Sequence, residues 1–304
     1  MLRPVCLVLA FLLAAAPAWG GGPVQIVTTS TDLKALVEAV GGDRVRVTSL
    51  APAIHAPHQV DVRPSQLADL RSAALLVRIG LDHEPWLARV LRTVNEQKFT
   101  PGFPNDLDVS RGIVLLQSET ARVRSERGVH VHGFGNTHYW LDPDNAHPMT
   151  RAILAALTRL DPASESIFDE QRARFLARLD AGLARWTQAM APYRGTRVVT
   201  VHETWPYFAR RFGLVIAGAL EPTPGVPPSP SHLALLVQRM RETKVPLLLA
   251  SSESDLSVAN QVSQKSGART VILVASVGAD PAVPDYVSLF DVNVGRLTEA
   301  LTAP

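Results

Sequence analysis

The sequence contains almost no cysteine, since Cys6 is the only one in 304 residues. It lies inside an apolar stretch near the start of the chain and lacks the flanking pattern of a cysteine that carries a lipid anchor. The rest of the chain has no thiol, which excludes disulfide bonds and metal sites built from thiolates. Any metal bound there must have nitrogen and oxygen ligands.

Long apolar runs are also missing beyond the first 20 residues. The start has Arg3, an apolar stretch from Val5 to Ala16, and then small residues up to Gly20. This order is typical of a secretory signal peptide, which we place at residues 1–20. The apolar stretch is too short to span a hydrocarbon core about 30 Å thick. We therefore expect a soluble protein exported to the periplasm.

Charge of one sign is not concentrated anywhere in the chain. The formal net charge is +2, and no basic run with interleaved aromatic residues occurs, which argues against a nucleic-acid partner. The hydrophobic content of 46% is sufficient for folded cores, and the length favours two domains. We expect the protein to be a monomer.

Short apolar, β-branched segments recur along the chain, and most are separated by helical patterns. Pro64-Ser65 and Pro230-Ser231, for example, are helix-start signals. Strands that alternate with helices predict parallel sheets, and four such segments lie on each side of the midpoint. The predicted fold class is α/β with two similar (β/α)4 lobes. The predicted strands are Val24–Thr29, Val45–Leu50, Ala74–Leu81, Ile113–Leu116, Arg197–Val201, Leu214–Leu220, Val245–Ala250 and Thr270–Ala275.

The middle of the chain has a helical pattern with no strand in it, from Asp144 to Leu160 and from Pro162 to Met190. A helix over 163–190 would be about 40 Å long and could run along both lobes. An ordinary surface helix of one domain fits the same pattern. The expected organisation is an N-terminal lobe over 21–161, a linking helix over 162–191 and a C-terminal lobe over 192–304.

Several of the nine histidines follow predicted strands. His58 comes after the second strand, His138 after the fourth, and His202 directly ends the fifth. Ligands of parallel α/β sheets bind beyond the carboxyl ends of the strands, so these imidazoles are expected at the same edge. Three imidazoles suit zinc and leave one position for a carboxylate or water. Each histidine could instead be solvated or structural, because no compact zinc motif is present. Three other histidines are expected at the surface. They are His83, His147 and His232.

Four segments in register resemble signatures of the metal-specific solute-binding proteins of ABC transporters. They are residues 56–65 (APHQVDVRPS), 138–143 (HYWLDP), 202–214 (HETWPYFARRFGL) and 225–229 (GVPPS). The resemblance covers essentially the whole chain after residue 20. It implies two α/β lobes joined by a long rigid helix, with a metal between the lobes held by His58, His138 and His202. Manganese members of that family tend to have glutamate at the third position, whereas imidazole at His202 fits zinc.

The fourth ligand departs from the family pattern. Members often have an aspartate at the end of the last strand, and here that position holds Ala275. Asp280 is the nearest carboxylate that a displaced loop could bring inward, and we name it as the fourth ligand. Glu253, Asp285 and water remain alternatives.

The resemblance further implies that the protein is not an enzyme, and that it delivers zinc to the membrane permease of an ABC transporter. His130 and His132 lie in a polar loop where zinc-specific relatives carry a histidine-rich insert, and they could collect metal from a periplasmic donor. A zinc-dependent hydrolase or lyase with Glu203 as general base is the alternative from a different class. Two further alternatives are a manganese-binding relative and a surface adhesin built on the same scaffold.

Overall fold

The computed structural model describes residues 22–54, 60–117, 135–221, 226–252 and 254–302. Its first lobe is a four-stranded parallel sheet with strand order β2-β1-β3-β4. Ile26 and Val27 on the central strand β1 are both buried, because helices cover both faces of the sheet. The elements are β1 (Val24–Thr28), α1 (Thr31–Gly41), β2 (Val45–Ser49), α2 (Pro64–Ser72), β3 (Leu75–Arg78), α3 (Leu87–Val94) and β4 (Asp106–Asp108).

The second lobe repeats this arrangement. Its parallel sheet has the order β6-β5-β7-β8, so β5 occupies the place that β1 has in the first lobe. Val198 and Val199 on β5 are fully buried. The elements are β5 (Arg197–Thr200), α6 (Pro206–Phe212), β6 (Val215–Ala219), α7 (Pro230–Glu242), β7 (Leu247–Ser251), α8 (Leu256–Ser266), β8 (Arg269–Leu273) and α9 (Tyr286–Thr302).

A long helix joins the lobes. After α4 (Ala146–Leu160), the 26-residue helix α5 (Glu165–Met190) extends for about 39 Å. It packs on α1 and α4 of the first lobe and on α6 and α9 of the second. Its buried residues include Phe168, Phe175 and Leu179. The predicted α/β fold with two lobes and a linking helix is confirmed. No helix of the described segments combines the length and the apolar character needed to cross a membrane.

The fourth strand was wrongly predicted. Instead of the apolar segment Ile113–Leu116, the sheet adds the polar segment Asp106–Asp108. Asp106 forms a bidentate ion pair with Arg78 on the neighbouring strand, and Asp108 accepts a further contact from the same guanidinium at 3.0 Å. Ion pairs from Arg78 to two aspartates therefore fix this edge strand in place of the apolar contacts that were expected.

Polar contacts connect the lobes where their strand ends face each other. The Asp32 carboxylate of α1 accepts the main-chain N–H of Val277 at 2.9 Å. The Trp140 indole donates to the carbonyl of Ala275 at 2.9 Å, and the Tyr286 hydroxyl donates to the carbonyl of Trp140. The turn that follows His138 is therefore held against the second lobe.

Candidate metal centre

His138 lies immediately before a short 3-10 turn, Tyr139–Leu141, and its orientation depends on Asn136. The Asn136 Oδ1 accepts the main-chain N–H of His138 at 3.0 Å and lies 3.2 Å from its Nδ1. The Asn136 Nδ2 donates to the carbonyl of Glu203 at 2.7 Å, which identifies the amide oxygen as the atom facing the imidazole. Because that oxygen only accepts, this contact favours the His138 tautomer with the proton on Nδ1 and the lone pair on Nε2.

The same amide links the two lobes. Asn136 is buried, with 6% exposure, and it connects the His138 ring to the main chain of the residue that follows His202. The Tyr207 hydroxyl of α6 supports it by donating to the Asn136 carbonyl at 2.9 Å. His138 and His202 are therefore attached to opposite ends of one hydrogen-bonded connection.

His202 follows β5, next to the end of β6. The hydrogen bonding between these strands continues past their ends, since Leu220 N–H donates to the Thr200 carbonyl and Glu221 N–H donates to the Val201 carbonyl. This continuation places the Glu221 carboxylate beside the imidazole, with Oε2 3.0 Å from Nδ1 of His202. Both side chains are partly exposed, at 30% and 20%. Sequence reasoning missed Glu221, because only the pairing of β5 with β6 brings it to His202.

His83 is not at the surface, contrary to expectation. It is buried, with 6% exposure, and its Nδ1 lies 2.8 Å from the Thr137 hydroxyl oxygen. Its ring is edge-on to His138, with centroids 5.6 Å apart, and both rings lie 5.2 Å from the Trp140 ring. Its position after β3 is the one sequence signal that could have placed it here.

Glu84, the residue after His83, braces the same strand end. Its carboxylate accepts the Thr29 hydroxyl and the main-chain N–H of Ile79 at 2.6 Å each, and the Gly80 N–H at 3.1 Å. Burial raises the pKa of Glu84 to about 7, although these hydrogen bonds oppose the rise. Glu84 is thus a structural group that fixes the turn carrying His83.

Asp280 makes its contacts within the second lobe. Its Oδ2 pairs with the Arg296 guanidinium of α9 at 2.5 Å, and its Oδ1 accepts the Ala282 N–H at 2.9 Å. The Ala282 N–H and the Arg296 guanidinium hold the pKa of Asp280 below its usual range. Asp285 is likewise paired, with Arg178 at 2.8 Å. Either carboxylate would have to leave an arginine to coordinate a metal.

The remaining predicted site residues lie outside the described part of the chain. They are His58, His130, His132 and Glu253. Within the described part, no three histidine, cysteine, aspartate or glutamate side chains come close enough together to hold a metal ion. The structure thus positions one candidate ligand in each lobe, and the complete ligand set stays a prediction.

Comparisons with known proteins identify relatives of this chain among metal-binding proteins. Residues 26–300 match the family described as zinc-uptake complex component A, periplasmic. The high-affinity zinc uptake system protein ZnuA of Paracoccus denitrificans is 26% identical, over 80% of this chain and 80% of its own length. The putative metal-binding protein of Treponema pallidum is 26% identical, over 91% of this chain and 87% of its own length. The manganese ABC transporter substrate-binding lipoprotein PsaA of Streptococcus pneumoniae is 23% identical, over 91% and 89%.

Solved structures share the fold. A crystal structure of ZnuA superposes with a TM-score of 0.76 at 23% identity, covering 91% of this chain and 98% of that one. A manganese-bound periplasmic metal-binding protein from Candidatus Liberibacter asiaticus gives a TM-score of 0.74 at 21% identity, over 91% and 98%. These matches are to solute-binding proteins and not to enzymes, which removes the basis for a hydrolase with Glu203 as general base. The chain belongs to the zinc-uptake complex component A family, the metal-binding components of ABC transporters.

Proposed function

We propose that this protein binds zinc in the periplasm and delivers it to the membrane permease of an ABC transporter. The observation that carries the proposal is one candidate imidazole ligand in each lobe, His138 before the turn that contacts the second lobe and His202 just after β5. His58 would supply the third ligand, as the resemblance of residues 56–65 implies. A metal that takes ligands from segments of both lobes favours one arrangement of those segments, which a permease can recognise.

The nature of the ligands favours zinc over manganese. Relatives named for zinc and for manganese are similar to this chain at nearly equal identity, so identity does not choose between the metals. Imidazole nitrogen suits zinc, whereas manganese prefers carboxylate and water oxygen. His202 therefore supports zinc as the cargo, with water at the fourth position as long as Asp280 stays paired with Arg296.

Metal analysis of the purified, processed protein tests the proposal. We expect one tightly held zinc per chain, retained against a manganese excess. His58→Ala, His138→Ala and His202→Ala should each lower zinc affinity by more than about 100-fold, because changes to groups that merely support a ligand already cost 10- to 100-fold. Affinity is measured by competition with a coloured chelator.

His147→Ala is the matched control, since this partly exposed histidine pairs with Asp180 at 2.9 Å between α4 and α5 and should leave affinity unchanged. Zinc affinity should also fall from pH 7 to pH 5, because an imidazole must lose its proton to coordinate. Preference for manganese, or three histidine variants that bind zinc normally, would contradict the proposal.

A further inference from the structure

The two candidate ligands have different oxygen atoms beside Nδ1. For His138 it is the neutral amide oxygen of Asn136, at 3.2 Å. For His202 it is the carboxylate oxygen of Glu221, at 3.0 Å. Either oxygen accepts a hydrogen bond and donates none, so both contacts favour the proton on Nδ1 and the lone pair on Nε2. The carboxylate adds a negative charge that makes its imidazole a better electron donor.

The position of Glu221 beside His202 is fixed by its main chain. Its own N–H is bonded to the carbonyl of Val201, one residue before His202, so the two side chains start from adjacent points of the β5–β6 pairing. Its side chain is only 20% exposed. Within the described segments, His202 is the one basic group at ion-pair distance from Glu221, whereas Asp280 and Asp285 are each committed to an arginine. The charge of Glu221 therefore acts on His202.

We propose that Glu221 is a positioning residue for metal capture, which fixes the ring and the Nδ1–H tautomer of His202 so that Nε2 meets the metal. This inference rests on the proposed function, because it assigns a role to Glu221 within the same site. Glu221 does not itself bind the metal, since it lies on the Nδ1 side of the ring.

The test compares Glu221→Ala with Glu221→Gln in the whole processed protein. Loss of the acceptor in Glu221→Ala should weaken zinc binding about 10- to 100-fold. Glu221→Gln keeps an oxygen acceptor without the charge, so it should recover part of that loss. In the metal-free protein, ¹⁵N NMR of the histidine rings should show His202 as the Nδ1–H tautomer in the wild type and a mixture of tautomers in Glu221→Ala. Glu299→Gln, which removes the same charge from an exposed side chain of α9, is the matched control.

Zinc affinity and the His202 tautomer together test the role of Glu221. Affinities of Glu221→Ala within about threefold of the wild type, or an unchanged tautomer, would overturn it. A zinc-loaded crystal structure with a Glu221 oxygen about 2.0–2.2 Å from the metal would also overturn it, because Glu221 would then be a ligand. If the wild type itself binds no zinc, the proposed function fails and this inference fails with it. If the wild type binds zinc and both Glu221 variants bind equally well, only the role of Glu221 is refuted.

Discussion

Asp32 is a carboxyl group at the contact between the lobes whose ionisation should lower stability at alkaline pH. It is fully buried near the start of α1, and it accepts the main-chain N–H of Val277 from the second lobe. Burial raises the pKa of Asp32 from 3.8 to about 7, against smaller opposing effects of the Val277 N–H and Ser276. We predict that Asp32→Asn, which keeps an oxygen for Val277 but cannot ionise, raises the free energy of unfolding at pH 8 relative to the wild type.

The size of the effect follows from the two pKa values. The folded protein keeps the Asp32 proton up to about pH 7, whereas the unfolded chain releases it near pH 3.8. The stability contributed by this proton is fully present below the lower pKa and is lost as pH rises through the upper one. Between pH 5 and pH 8 the wild type should therefore lose about 2.6 kcal/mol of unfolding free energy through Asp32, at 1.36 kcal/mol per pKa unit. Asp32→Asn lacks this component.

Urea unfolding followed by tryptophan fluorescence, at intervals from pH 5 to pH 8, measures the difference between variant and wild type. A chelator is kept present, because bound zinc would add stability with its own pH dependence. The raised pKa of Glu84 affects both proteins equally and cancels in the difference. Asp43→Asn, at an exposed position, should show no such trend. The reasoning is refuted if the difference in unfolding free energy between Asp32→Asn and the wild type stays constant from pH 5 to pH 8, or becomes smaller as pH rises.

Two further predictions concern packing and charge pairs between elements. Arg211→Ala should lower the free energy of unfolding by about 3 kcal/mol in urea titrations, because the buried Asp142 carboxylate loses its bidentate partner. Arg210→Ala removes a single contact with Asp142 at 3.2 Å and should lower it by less. Equal losses in the two variants would contradict this ranking. Phe290→Ala should cost about 3–5 kcal/mol and lower the melting temperature, since the ring is fully buried between Trp186 and Phe208. A melting temperature close to that of the wild type would show that the neighbouring rings close the cavity.

The parts of the fold that the sequence predicted well are those with a local signal. Strands such as β1 and β5 are buried on both faces, so they appear as short β-branched runs. β4 has no such run, because Asp106 and Asp108 are placed in it by a guanidinium 28 or more residues earlier, on β3. Arg78 is recognisable as their partner only once the two strands are paired.

The candidate site also contains residues with a local sequence signal and residues without one. His202 could be picked out because it follows a strand, and His138 because of the motif around it, since the strand predicted before His138 does not form. Asn136 and Glu221 could not be assigned, since their roles depend on hydrogen bonds between segments 67 and 19 residues apart. His83 was misplaced because nothing in its neighbours reveals that the loop carrying Thr137 covers it.

The helix α5 makes the two lobes a single cooperative body. One continuous apolar cluster runs from Ile26 of the first sheet, through Phe175 and Leu179 of α5, to Leu249 of the second sheet. Neither lobe can detach without exposing the buried stripe of α5 to water, so a wide hinge-like opening would require breaking the core itself. We therefore expect metal binding to displace the segments that follow the strands more than the core behind them.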